Sequence, residues 1–279
     1  MNHKTQQDFV AMVENMPPFP KSAHRIMALA ADINCNPKEL VQIIEHDPII
    51  TMKLLKLVNS AFFSLAREIT SIRHALVYLG LNTIKNLALS ISTINALPHK
   101  QLHNFNTHNF LMHSLTTASI AQRISPRFDP QRDSSDAFIA GLLHDFGKII
   151  LAQFASEEFS QALEVAEQEQ VSLHLIEQRI LGIHHAEVGG LLAEKWELPQ
   201  ELVTCIRHHH DPIQSPLHDS IFTANQISKQ LHYGESGNPI IEVLPEHIQK
   251  HLGMNLTELI ESLGDLSKEA KKAQEFAQV

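Results

Sequence analysis

The chain has 279 residues, 43% of them apolar and 19% charged, which is enough to build a buried core and excludes disorder as the dominant state. At roughly 100–200 residues per domain it holds one large domain or two modest ones. Its 22 Lys and Arg against 31 Asp and Glu give a net charge of −9 with the 19 histidines neutral. Partial protonation of those histidines brings this to roughly −4 to −5, and either balance argues against nucleic acid as a partner. No apolar run reaches the ~18 residues of a membrane span, and the start, Met1 to Gln6, lacks the basic end and apolar stretch of a signal peptide. Cys35 and Cys205 make neither a disulfide framework nor a thiolate zinc site. A cytoplasmic, reducing location is expected.

In chain order almost every periodic segment predicts helix, with few glycines and no alternating strand pattern. Met16-Pro17-Pro18-Phe19-Pro20 is a rigid, extended entry. A helix follows over 22–33. Asn36-Pro37 starts the next, running to His46, with Asn36 as N-cap. Asp47-Pro48 repeats the device and opens a helix over 49–59. Ser71 starts a helix that stops at Gly80, and another begins at Asn82. The polar stretch 97–106 reads as a connection between two lobes. Longer helices are predicted over about 107–125, 133–154, 157–170, 172–181, 185–196, 199–210 and 216–231. From Pro239 onward the chain reads as a polar tail with two short helices.

Histidine and aspartate carry the chemistry. In Gly141-Leu142-Leu143-His144-Asp145-Phe146-Gly147-Lys148, an adjacent His-Asp pair offers an imidazole nitrogen and a carboxylate oxygen to one cation. Lys148 shares the helical face of His144, where it would bind a substrate phosphate or pair with Asp145 when no metal is present. Gly141 and Gly147 are costly inside a helix and point to close backbone approach or a bend. His113 lies on an apolar helix face, as a ligand or as a satisfied core histidine. His184-His185 opens a helix. His208-His209-His210 ends one, where capping by cations competes with ligation; His208 is expected to face solvent. The remaining histidines, such as His3, His99, His103, His232 and His251, are expected to be solvated. Asp47, Asn59, Ser60 and Gly80 read as caps and stops, with a ligand or partner contact at Asn59 as the minor alternative.

Four blocks of the first lobe resemble the HDOD family, a helical regulatory domain of bacteria. They are Met16-Pro17-Pro18-Phe19-Pro20, Asp47-Pro48, the Leu54–Phe62 segment containing Asn59-Ser60-Ala61, and the Ile69–Gly80 helix. The resemblance covers about residues 14–231. The order His113, His144-Asp145, His185 and His209-His210 is similar to the HD metal-dependent phosphohydrolase superfamily, nearest its two-metal branch. His185-Ala186-Glu187-Val188-Gly189 resembles that branch's His-Pro-Glu-x-Gly block. The resemblance implies an all-α chain in two helical lobes: residues 1–100 as the N-terminal lobe, 101–235 as an HD-like bundle, and 236–279 as a C-terminal tail. It implies one or two divalent ions (zinc, iron, manganese or nickel). His113, His144 and Asp145 would hold the first, with Asp145 bridging, and His185, His209 and His210 the second. Catalytic roles would fall to Asp145 and Lys148.

Two departures weaken the hydrolase side. Asn225 stands where the superfamily has its last aspartate ligand, and an amide oxygen is the weaker donor. No Gly-Tyr-Pro loop follows His209-His210; the chain runs straight into Asp211-Pro212. The expected function is a signalling or regulatory domain with a metal site and poor hydrolysis, ahead of a phosphohydrolase acting on a phosphoester or nucleotide. Its partners would be proteins of a signalling pathway or a small phosphorylated ligand.

Overall fold

A computed structural model describes residues 6–30, 36–60, 63, 67–96, 105–238 and 240–277. Cys35, the helix end at Ile33, the Ala61-Phe62 step, residues 97–104 of the connection, and His3, His99 and His103 lie outside them. The structure is all-helical among the described residues. It divides into two compact units, Met1–Met16 with His99–Ala270, and Pro17–Pro98 with Lys271–Val279. The histidine-bearing unit therefore takes its first helix, α1 (Gln6–Glu14), from the chain start.

The second unit holds α2 (Lys21–Ala30), α3 (Pro37–Glu45), α4 (Pro48–Val58), α5 (Ile72–Leu79) and α6 (Leu81–Asn95). Its helix starts are built by local chemistry. Asn36 accepts from the Lys38 N–H, Asp47 from those of Ile49 and Ile50, and Ser71 from that of His74. Pro37 and Pro48 occupy first turns whose N–H groups would have no partner. Asn59 is a structural clasp: its amide donates to the carbonyls of Leu55 and Ile69, and its oxygen accepts from the Ile69 N–H. Gly80, at φ +80°, makes the corner between α5 and α6.

The histidine-bearing unit continues with α7 (Thr107–Phe128), α8 (Ser135–Leu143), α9 (Gly147–Phe154), α10 (Ser156–Glu169), α11 (Leu173–Leu181), α12 (His185–Lys195), α13 (Gln200–Arg207) and α14 (Pro216–Gln230). After these come α15 (Glu246–Leu252), α16 (Leu256–Leu263) and α17 (Ser267–Ala277). The long α7 packs against α8 and α14, while α12 packs against α9 and α13. Every residue from Ser220 to Lys229 of α14 is buried, so this helix is enclosed on all sides. Ser135–Phe154 is long and apolar enough to cross a membrane, but nearly all of it is buried within the fold, as in a core segment.

Three expectations are corrected. The helix over 133–154 is two helices, interrupted at His144–Phe146. A Cβ on Gly147 would stand 1.9 Å from the His185 carbonyl oxygen, so the start of α9 is pressed onto the start of α12 and the chain turns there. The helix over 199–210 ends at Arg207, leaving His208, His209 and His210 in the turn beyond it. The tail holds three helices rather than two, because Asn255 and Glu258 form a capping box and Gly253 and Gly264 take positive φ.

Candidate metal centre

Four elements converge on one carboxylate. His113 comes from mid-α7, Asp145 and His144 from the α8–α9 break, His185 from the first turn of α12, and His209 with His210 from the turn after α13. Asp145 is buried, and its two oxygens face different partners. Oδ2 lies 2.6 Å from Lys148 Nζ, 3.3 Å from His144 Nε2 and 3.9 Å from His113 Nε2. Oδ1 lies 3.1 Å from His185 Nε2 and 3.5 Å from His209 Nε2. His210 Nε2 sits 2.9 Å from His185 Nε2. Two groups, His113 with His144 and Asp145, and His185 with His209 and His210, each bring three ligand atoms within 4.8 Å of one another.

The backs of the imidazoles fix their fronts. His144 Nδ1 is 2.8 Å from the Gly141 carbonyl and His209 Nδ1 is 2.8 Å from that of Ile206. Carbonyl oxygens only accept, so Nδ1 carries the proton in both, and Nε2 is the nitrogen that presents a lone pair wherever the ring is neutral. His185 Nδ1 donates to Glu177 Oε2 at 2.5 Å, and the same oxygen accepts the His185 backbone N–H at 2.8 Å. Nε2 of His144 and His209, both nitrogens of His113 and Oδ1 of Asp145 are buried without a hydrogen-bond partner.

These donors fit a divalent cation. Atoms each bound ~2.1 Å from one ion stand ~3.0–3.4 Å apart in octahedral or tetrahedral arrays, and the 2.9–3.5 Å spacings among His144, Asp145, His185, His209 and His210 have that size. Where His185 Nε2 faces Oδ1 at 3.1 Å, a proton or a cation must separate two lone pairs. Electrostatics keep the donors ready. Burial pushes His209 down to about 3 and holds His113 and His210 well below the usual imidazole range, so these three stay neutral. Burial opposes charge on Asp145, but His144 and Lys148 beside it hold its carboxyl well below the usual range. Burial likewise opposes charge on His185, but the Glu177 carboxylate, together with Asp145, more than offsets it, raising that imidazole.

The structure thus gathers His113, His144, Asp145, Lys148, His185, His209 and His210 at one place. His208 stays partly exposed and pairs with Asp211 at 2.7 Å. Asn225 is buried on α14 with its Oδ1 unpartnered, and that helix packs on α7 and α8. Lys148 pairs with Asp145 and also donates to the Ser236 carbonyl at 2.8 Å. Sequence reasoning missed Glu177, although a charged residue among Leu173, Ile176 and Leu181 on one face of α11 was a readable sign. It missed His174 and Glu242 too, which form a third close group with His210. A cavity of about 550 Å³ reaches His113 between α7, α10 and the segment after α14.

Known proteins share this architecture. The crystal structure of an HDOD domain protein of unknown function from Geobacter sulfurreducens aligns over 98% of this chain and 99% of its own, with TM-score 0.80 and 24% identity. A candidate signal transduction protein from Marinobacter aquaeolei aligns over all of this chain and 62% of its own, with TM-score 0.80 and 23% identity. An uncharacterised protein from Treponema pallidum is 26% identical over 209 residues, covering 73% of this chain; that stretch spans 39% of the relative's length. The HDOD domain profile matches residues 16–212. Both the Asp-Pro and Asn-Ser blocks of the second unit and the His-Asp cluster of the histidine-bearing unit lie inside that match, and the chain belongs to the HDOD domain family.

Proposed function

We propose that the chain is a regulatory domain that works through a metal centre on Asp145 and hydrolyses phosphoesters poorly. One observation carries this reading: the two oxygens of a buried carboxylate each face their own set of imidazole Nε2 atoms. His113, His144 and Asp145 would hold one divalent ion, and Asp145, His185, His209 and His210 a second. Such ions supply Lewis-acid polarisation of a phosphoryl oxygen and of an attacking water. The chain's own residues orient the donors: the Gly141 and Ile206 carbonyls and Glu177 fix the ring tautomers. Lys148 stands ready to meet negative charge on a ligand once a cation takes its place on Asp145. Asn225, a neutral donor, supports weak chemistry at the first ion. The name of the Marinobacter neighbour, signal transduction, agrees with the regulatory side.

The second reading, an efficient metal-dependent phosphohydrolase, is favoured by Lys148 and by the bridging position of Asp145. Metal analysis of protein purified without chelator or histidine tag, beside Asp145→Ala and His144→Ala, tests the centre. Near-stoichiometric metal in the parent, lost in both variants, is expected. A parent that stays empty after incubation with manganese, iron, nickel or zinc refutes both readings. Turnover of bis(p-nitrophenyl) phosphate by the loaded protein separates them.

A further inference from the structure

The cavity beside His113 has a floor that the metal centre does not use. Lys229, the next-to-last residue of α14, lines it and is 9% exposed. Its ammonium donates to the Ile240 carbonyl at 3.2 Å and forms no ion pair among the described residues. Asn238 lines the same floor at 8% exposure. Its Oδ1 accepts from the Ile240 N–H, and its Nδ2 is buried with no partner. A buried cation and a buried unpaired N–H donor in one cavity are costly to the fold unless something accepts from them. Burial, then Lys148, lowers Lys229 to about 8, with Asp145 and Glu242 opposing.

The surroundings define what fits. Phe105, Leu163 and Ile241 give the cavity an apolar wall, while its carboxylates, Glu167 and Glu235, are exposed at the rim. The segment carrying these groups is held tightly. Gly234, at φ +78°, sits where a Cβ would stand 2.3 Å from the His113 backbone nitrogen, and the Glu235 N–H bonds the Asn109 carbonyl. Gly237, at φ +73°, takes a left-handed conformation that favours glycine, and a Cβ there would stand 2.7 Å from the Leu163 Cδ2. The donors are thus set in place before any ligand arrives.

We infer that this floor is an anion subsite, in which Lys229 and Asn238 bind the phosphate of a small organic phosphate whose apolar body lies against Phe105, Leu163 and Ile241. It deepens the phosphoester reading of the neighbouring centre and rests on that reading for the ligand's class, but its own donors need no metal. The cavity's volume of about 550 Å³ falls in the ~300–1,000 Å³ range of small-molecule sites.

The test is calorimetric titration of chelator-treated full chain with phenylphosphonate, which cannot be hydrolysed, and with inorganic phosphate. Phenylphosphonate is expected to bind more tightly than phosphate. Lys229→Met, which removes the charge at similar volume, and Asn238→Asp, which keeps the Ile240 acceptor but loses the donor, should each weaken it by about 10–100-fold. The unfolding midpoint of Lys229→Met should equal or exceed the parent's, since a buried unpaired charge is gone. No phenylphosphonate binding by the parent, or equal binding by both variants, overturns the subsite. Binding that depends on Lys229 in a chain that never takes up metal upholds the subsite and refutes only the centre.

Discussion

Glu177→Gln asks whether the centre depends on the carboxylate behind His185. Glu177 is fully buried, and its Oε2 accepts two donors from His185, the backbone N–H at 2.8 Å and Nδ1–H at 2.5 Å. Glutamine keeps the volume and an acceptor but removes the charge. Two charge-assisted bonds of ~1.5–3 kcal/mol each become ordinary ones of ~0.5–1.5 kcal/mol, a loss of about 2–3 kcal/mol. Part of this returns because a buried carboxylate no longer has to be desolvated, leaving a net cost of about 1–2 kcal/mol. At ~2–4 °C per kcal/mol for a unit of this size, the melting midpoint drops by about 2–8 °C. Metal affinity falls further in proportion: losing a partner behind a ligating histidine costs ~10–100-fold, or about 1.4–2.7 kcal/mol. Competition with a chromophoric chelator for zinc or manganese at pH 7.5 measures that ratio. A Kd within about twofold of the parent, in a variant whose melting curve stays cooperative, would show that Glu177 does not orient His185 for ligation.

Four further outcomes are expected. Asn59→Ala loses three hydrogen bonds, including both to Ile69, at about 1 kcal/mol each; a urea midpoint equal to the parent's would refute its role as a clasp. Gly147→Ala drives a Cβ into the His185 carbonyl and the Gly189 nitrogen, costing at least the ~1–3 kcal/mol of an overpacked core and weakening metal binding; a variant with the parent's melting point and metal content contradicts that closeness. Asn225→Asp restores a charged donor and should raise affinity at the first ion by about tenfold, with faster bis(p-nitrophenyl) phosphate turnover; unchanged values would mean that residue 225 is not what limits the centre. Burial pushes the Cys205 thiol up to about 12, so it carries almost no thiolate at pH 8.5; in a Cys35→Ser background iodoacetamide should label it only after urea unfolding, and rapid labelling of folded protein would overturn this.

What the sequence revealed, and what it hid, follows from the range of each interaction. Asn36-Pro37, Asp47-Pro48 and Ser71 cap their own helices within three residues, so their signals are local and the helix starts are legible. His113, His144, Asp145, His185, His209 and His210 were legible as a set because their order and types matched a pattern. Their convergence on opposite oxygens of one carboxylate is a fact of packing. Gly147 signalled a bend or a close approach, as found, but not which group it meets: the His185 carbonyl lies 38 residues downstream. Glu177 is eight residues from His185 and reaches it only because the α11–α12 turn brings it back. No sequence pattern singles out Lys229 or Asn238; only burial and the absence of an acceptor on Asn238 Nδ2 set them apart.

Under the proposed function, charge balance favours retention of an anion at this site over its turnover. In the cation-free state Asp145 is neutralised by Lys148, and Glu177 by a proton-rich His185. With divalent ions on the imidazoles, the Lys148 ammonium would lose its partner on Oδ2, and Lys229 has no ion-pair partner among the described residues. The pocket would then be in positive excess by several charges, in surroundings where burial strengthens every Coulomb interaction. Asn225 makes that excess larger by one than an aspartate would. Such a pocket would hold a phosphate tightly before and after any bond is cleaved. Binding that is equally strong for substrate and product lowers the free energy of the bound states without lowering the barrier between them. On the proposed reading, an arrangement that would make a slow hydrolase would also make a responsive binding domain, with occupancy rather than turnover as its output.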